Sequence, residues 1–176
     1  MSSNNAIVGL VTQGGPVVRE SQVDSKKDLE KALKVTCEEF IMTCTKLTVE
    51  PMLSFITKVT AVKVAALQGG SGAAGGESDS RRLRDHAFAA PEKLAEIVQS
   101  VNEALDTKLP TAVGKMKLYL QHPNTRNILF KPIQSNIAEA HGQIAQLLEA
   151  EYTPDDAAGI GLLGATELGQ KLDLLS

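Results

Sequence analysis

The chain has 176 residues, of which 43% are hydrophobic and 22% are charged, and this balance excludes a wholly disordered chain. Only 3% of the residues are aromatic, which is few for a β-sandwich or a β-barrel. The net charge of −3 provides no overall field for nucleic acid, which is not expected as a partner. Because no apolar run of about 18 residues and no signal peptide is present, we expect a soluble, cytosol-facing, mostly helical protein.

Residues 1–20 contain scattered glycines and are expected to form a flexible lead. A helical pattern begins at Asp24, after which apolar side chains recur at steps of three and four residues. This stripe consists of Leu29, Leu33, Thr36, Cys37, Phe40, Cys44 and Leu47. Pro51 is expected to interrupt the helix because proline has no backbone donor, so residues 21–67 are predicted to form a helical hairpin.

The second half of the predicted hairpin allows two interpretations. A helix that restarts at Pro51 would bury one set of side chains: Met52, Phe55, Ile56, Val59, Val62 and Ala66. The β-branched residues Val59, Val62 and Val64 would also suit a strand, and this alternative stays open. Residues 68–80 (QGGSGAAGGESDS) then lack large apolar side chains and are predicted to be a disordered linker.

Residues 81–176 are predicted to form a C-terminal bundle of amphipathic helices. Pro91 opens a helix, Pro110 breaks or kinks it, and Pro132 is placed at the start of the next long helix. Thr153 precedes a proline and two aspartates, the pattern of an N-terminal helix cap, and a last short helix follows. The predicted fold class is therefore all-α, an elongated bundle of amphipathic helices with a disordered linker rich in glycine and serine.

Two segments in and after the linker could contact phosphate. Residues 70–75 (GSGAAG) match G-x-G-x-x-G, the fingerprint of dinucleotide-binding loops. That fingerprint needs a strand before it and a helix directly after it, and the next predicted helix begins only near Pro91, so a linker is the preferred interpretation. The cluster of Arg81, Arg82 and Arg84 is interpreted as a solvated segment, with a lipid or phosphate contact as the alternative.

No catalytic or metal-binding arrangement can be assembled from the sequence. Cys37 and Cys44 lie seven residues apart on one predicted helix face, which suits core packing better than a zinc site. The three histidines are scattered along the chain. We therefore expect a protein that is not an enzyme, with no cofactor and no metal ion.

Two groups of sequence strings resemble a known family. The first comprises residues 20–24 (ESQVD), 36–42 (TCEEFIM) and 51–55 (PMLSF). The second comprises residues 127–133 (NILFKPI), 136–137 (NI) and 149–153 (EAEYT). Together they resemble the C-terminal portion of the third subunit of the conserved oligomeric Golgi complex, in its plant and algal forms.

The resemblance implies a non-catalytic subunit of a vesicle-tethering complex that acts in intra-Golgi retrograde transport. Members of the family are helical bundles attached peripherally to the cytosolic face of Golgi membranes. The implied partners are the other subunits of the complex, with SNAREs, Rab GTPases and coat proteins. The resemblance supplies no catalytic residue, cofactor or ligand site, and the family protein is several times longer than this chain.

Two other functions remain as alternatives. One is a small nucleotide-binding enzyme that uses the loop of residues 70–75, and the other is an amphipathic membrane-binding protein that works alone.

Among single positions, Leu129, Phe130 and Pro132 are the candidate partner-contact residues. We prefer core packing for Leu129 and Phe130, and the alternative is that one of them is exposed and anchors a neighbouring subunit.

Overall fold

The computed structural model describes residues 17–68 and 82–175. Every element within these two ranges is helical, which confirms the predicted all-α class. The chain divides into two compact units, with the boundary after Phe40. The predicted linker lies outside the described residues, except for Gln68, and so does most of the predicted lead.

The first helix, α1, spans Val17–Gln68 and begins inside the predicted lead of residues 1–20. It passes through Pro51 without ending, so the predicted break at Pro51 is wrong. Residues 21–67 belong to one helix and do not form the expected hairpin. The strand alternative for the valine-rich stretch is also wrong, because that stretch is helical.

Burial on both sides of Pro51 explains why α1 continues. A proline inside a helix removes one backbone hydrogen bond, here to the carbonyl of Leu47, at a cost of about 3 kcal/mol. Val49 and Met52 are fully buried, and Phe55 is almost so. Burying each such side chain contributes roughly 1.5–3 kcal/mol, so their packing together exceeds the cost of the proline.

The part of α1 that precedes the unit boundary presents its apolar stripe differently. Leu29 is 69% exposed and Leu33 is 64% exposed, although their spacing predicted a buried face. Cys37 and Phe40 are half-buried. The periodicity correctly identified which face of the helix is apolar. Much of that face is nevertheless exposed in the part of the chain that the structure describes.

A short 3₁₀ turn at Leu83–Asp85 precedes the next long helical stretch. That stretch comprises α2 (Pro91–Glu103), a π-helical segment (Ala104–Lys108) and α3 (Leu109–Tyr119). The predicted start at Pro91 is confirmed. The effect of Pro110 takes the form of the π-helical segment, since a wider turn relieves the clash between the proline ring and the preceding carbonyl. The buried face of this stretch comprises Leu94, Val98, Val101, Leu105, Leu109, Val113 and Met116.

The longest helix of the second unit, α4, spans Pro123–Glu151. It begins nine residues before the expected start at Pro132, so that prediction is wrong. Pro123 occupies the first turn, where a missing backbone donor has little cost. Pro132 lies inside the helix between Phe130 and Ile133, both buried, and their packing holds the helix together as at Pro51.

Two short helices close the chain, α5 (Pro154–Ile160) and α6 (Ala165–Asp173). The predicted cap at Thr153 is confirmed: its hydroxyl accepts from the backbone N–H of Asp156 over 3.2 Å. The backbone N–H of Thr153 in turn donates to the Asp156 carboxylate over 3.1 Å. Gly161 ends α5 with a φ of +66°, a conformation that favours glycine.

Candidate functional site

The three predicted partner-contact residues lie in the first half of α4. Leu129 is 9% exposed and Phe130 is 1% exposed, whereas Pro132 is half-buried. Ile128, directly before them, is 71% exposed. The burial of Phe130 agrees with core packing, and a contact between this segment and a partner stays a prediction.

A buried hydrogen bond joins the end of α4 to the loop before α2. Tyr152 is 8% exposed, and its hydroxyl donates to the backbone carbonyl of Ala89 over 2.7 Å. Burial, and then the negative charges of Glu151 and Asp156, raise the pKa of Tyr152 to about 12. The phenol is therefore protonated at neutral pH and serves as a fixed donor.

A second contact lies beside it at the start of α5. Nη1 of Arg84 donates to Oδ2 of Asp156 over 2.8 Å. Hydrogen bonds from Thr153, together with the Arg84 guanidinium, hold the pKa of the Asp156 carboxyl below its usual range. Of the predicted solvated cluster, Arg82 is exposed and Arg81 lies outside the described residues, whereas the Arg84 side chain is 31% exposed and ion-paired. The partner of Arg84 is 72 residues away, so no local pattern could have revealed the pair.

We call these five residues, Arg84, Ala89, Tyr152, Thr153 and Asp156, the C-terminal clasp. The clasp connects two segments that are distant in sequence, residues 84–89 and residues 152–156, and each of its polar side chains has a partner. Satisfied, mutually bonded groups of this kind stabilise a fold. Two clasp residues, Tyr152 and Thr153, belong to the EAEYT string that carried the family resemblance.

His141 is a buried polar group that belongs to no recognisable sequence motif. It is 4% exposed on the core side of α4, and neither ring nitrogen has a hydrogen-bond partner among the described residues. Burial lowers its pKa from 6.5 to about 4, so the imidazole is neutral at pH 7. It lines a cavity of about 130 Å³ beside Gly142 and Gly169. The signal in the sequence was its spacing from Ile137 and Ile144 on the apolar stripe.

The remaining candidate groups do not converge. Cys44 is buried, which raises the pKa of its thiol, and Cys37 is half-buried; both thiols are free. Within residues 17–68 and 82–175, no three His, Cys, Asp or Glu side chains are grouped as metal ligands would be. No helix in those ranges combines the length and the apolar character needed to cross a membrane. The loop of residues 70–75 lies outside the described residues.

Comparison with known families decides the classification. The family model described as the COG3 C-terminal cap domain matches residues 32–175, which include α2 to α6 and the whole C-terminal clasp. The chain belongs to this family. The expected resemblance to the C-terminal portion of the third subunit of the conserved oligomeric Golgi complex is thereby confirmed.

Full-length relatives bear the name conserved oligomeric Golgi complex subunit 3. The chain is 38% identical to the Homo sapiens protein over 156 residues, which are 89% of the chain and 18% of that protein. It is 37% identical to the Aedes aegypti protein over 172 residues, 96% of the chain and 19% of that protein. For the Dictyostelium discoideum protein the identity is 35% over 162 residues, 92% of the chain and 16% of that protein.

The chain thus spans less than one fifth of the length of these relatives. It corresponds to a small part of each, namely the part that the C-terminal cap model describes. No solved structure matches the chain.

Proposed function

We propose that the chain acts as the C-terminal cap of the third subunit of the conserved oligomeric Golgi complex. In this role it is a non-catalytic element of a tether for vesicles in intra-Golgi retrograde transport, at the cytosolic face of Golgi membranes. The observation that carries the proposal is the family match over residues 32–175, joined to subunit relatives at 35–38% identity in three distant organisms.

The hydrogen bonds of the C-terminal clasp support a non-catalytic role. Tyr152 is hydrogen-bonded to Ala89, and Asp156 is hydrogen-bonded to Thr153 and Arg84. These bonds hold chain segments of the protein together. A general acid or base needs a proton acceptor or donor within reach of a substrate. In the clasp, the hydrogen-bonding sites that a substrate would need are already taken up by other protein groups.

The proposed partners are, first, the other subunits of the same complex. Contacts with SNAREs, Rab GTPases and coat proteins are a finer part of the proposal and follow from the tethering role. Within the chain, the segment containing Leu129, Phe130 and Pro132 remains the proposed contact region. Since Phe130 is buried, we propose that the segment acts through the surface it supports, which includes the half-buried Pro132.

Affinity capture tests the proposal. The tagged chain is co-expressed with each of the other subunits, and at least one subunit should co-purify with it. A folded chain that retains none of them would contradict the subunit role.

Two variants separate packing from contact in the same experiment. Phe130→Ala should lower the melting temperature and weaken capture together, because it disturbs the core. Pro132→Ala leaves the core side chains in place. If it melts at the same or a higher temperature and loses capture, the contact includes Pro132. If it keeps capture, Pro132 is removed from the proposed interface.

A further inference from the structure

The charges of this acidic chain are unevenly distributed. Residues 107–138 contain no aspartate or glutamate, whereas the whole chain has 21 such residues. The same stretch contains five basic residues: Lys108, Lys115, Lys117, Arg126 and Lys131. A segment with a charge of +5 therefore lies within a protein whose net charge is −3.

This basic stretch also exposes large apolar side chains. Leu118 is 77% exposed and Tyr119 is 85% exposed, and both lie in the last turn of α3. Ile128, in the second turn of α4, is 71% exposed. Only residues 120–122 separate the two helices, so the helix ends lie at most about 14 Å apart.

Basic side chains accompany the apolar ones. Lys115 lies one turn before Tyr119, and Arg126 lies in the first turn of α4. Neither makes an ion pair with any residue that the structure describes, and the same is true of Lys131. We define the α3–α4 tip as Lys115, Leu118, Tyr119, Arg126 and Ile128.

We propose that the α3–α4 tip docks directly on an anionic lipid surface. Leu118, Tyr119 and Ile128 enter the interfacial layer of the membrane, where amphipathic aromatic rings are favoured. Lys115 and Arg126 contact the negatively charged headgroups. Stable membrane association takes two signals, such as an apolar one and a basic one, and the tip has both.

The exposure of the apolar side chains favours lipid over an acidic protein. Side chains that are 71–85% exposed project from the surface, and a protein partner would need a matching pocket for each of them. A fluid lipid interface accommodates projecting side chains without such pockets. This contact goes beyond the proposed subunit role, because it involves the lipid itself and does not depend on another subunit.

Co-sedimentation of the 176-residue chain with vesicles tests the proposal. The chain should bind vesicles of phosphatidylcholine mixed with phosphatidylserine, and bind vesicles of phosphatidylcholine alone more weakly. The double variant Lys115→Gln/Arg126→Gln should reduce partitioning onto the anionic vesicles about 30-fold, since each basic group contributes about a fivefold factor. Leu118→Ser/Tyr119→Ser should reduce it about tenfold or more.

Matched controls use exposed residues of α1. Lys27→Gln/Lys31→Gln removes the same charge, and Leu29→Ser/Leu67→Ser removes two apolar side chains that are 69% and 83% exposed. Both controls should bind anionic vesicles as the parent chain does. All variants should keep the parent melting temperature, because the altered side chains are exposed or only partly buried.

Three outcomes would overturn the proposal. The first is that the tip variants bind anionic vesicles as tightly as the parent chain, and the second is that the controls lose as much binding as the tip variants. The third is that the parent chain does not bind vesicles but is retained on immobilised polyglutamate in a tip-dependent manner. The tip would then be a site for an acidic protein. Capture of other subunits is measured separately, so failure here is distinguishable from failure of the subunit role.

Discussion

We expect the stability of this chain to fall as the pH drops from 7 to 4, because of His141. The imidazole is buried without a hydrogen-bond partner among the described residues, so the folded state disfavours its charged form. In the unfolded chain the ring meets water and takes up a proton at its ordinary pKa. Between the two pKa values the unfolded state therefore binds more protons than the folded state.

The size of the effect follows from the pKa values. Burial lowers the pKa of His141 from 6.5 to about 4. The free energy of unfolding changes by at most about 1.4 kcal/mol per pH unit for one proton, so about 3 kcal/mol is lost between pH 6.5 and pH 4. Above pH 6.5 the contribution is fully present. Below pH 4 the ring is protonated in both states, and no further stability is lost through this residue.

Urea unfolding at a series of pH values measures this contribution. The chain has no tryptophan, so far-UV circular dichroism is the suitable signal. Carboxylates titrate in the lower part of the same range, and the comparison with His141→Leu isolates the histidine. Leucine has no titratable group and is accommodated beside the cavity of about 130 Å³. The variant should lose about 3 kcal/mol less than the parent chain between pH 6.5 and pH 4.

Two results would refute this reasoning. One is a pH dependence of His141→Leu that is as steep as that of the parent chain. The other is an imidazole that titrates near pH 6.5 in the folded protein, as followed by NMR. His122→Gln serves as the matched control, since His122 is exposed, and it should leave the pH dependence unchanged.

Urea unfolding at pH 7 also tests the packing of α4 and the clasp. Phe130→Ala should lower the free energy of unfolding by about 3–5 kcal/mol, whereas Ile128→Ala, at an exposed position, should change it by about 0.5 kcal/mol or less. Equal effects would contradict the assignment of Phe130 to the core. Pro132→Ala should raise it by about 1–2 kcal/mol by restoring a helical hydrogen bond, and Pro123→Ala, at the helix start, should not. A loss of stability on Pro132→Ala would argue against that account. Tyr152→Phe should lower it by about 1–2 kcal/mol, because a buried carbonyl loses its donor, and an unchanged value would exclude that bond as a stabilising contact.

Local signals in the sequence predicted those features correctly whose stabilising interactions span one or two helical turns. The helix start at Pro91 and the cap at Thr153 depend on residues within a few positions of each other, and both were predicted correctly. The apolar face of the stretch that begins at Pro91 follows from a periodicity of three to four residues. The all-α class follows from the same pattern and from the scarcity of aromatic residues.

Tertiary packing decided the features whose partners are distant in sequence. Pro51 and Pro132 each carry a local cost, and helices continue through both because neighbouring side chains are buried against segments that the local sequence does not specify. The pairing of Arg84 with Asp156 joins positions 72 residues apart, and no local pattern encodes it. The sequence by itself determined where helices can form and which face of each is apolar. Only the tertiary structure decided where they end and which apolar faces are covered, because the free energy of burial depends on what lies opposite each side chain.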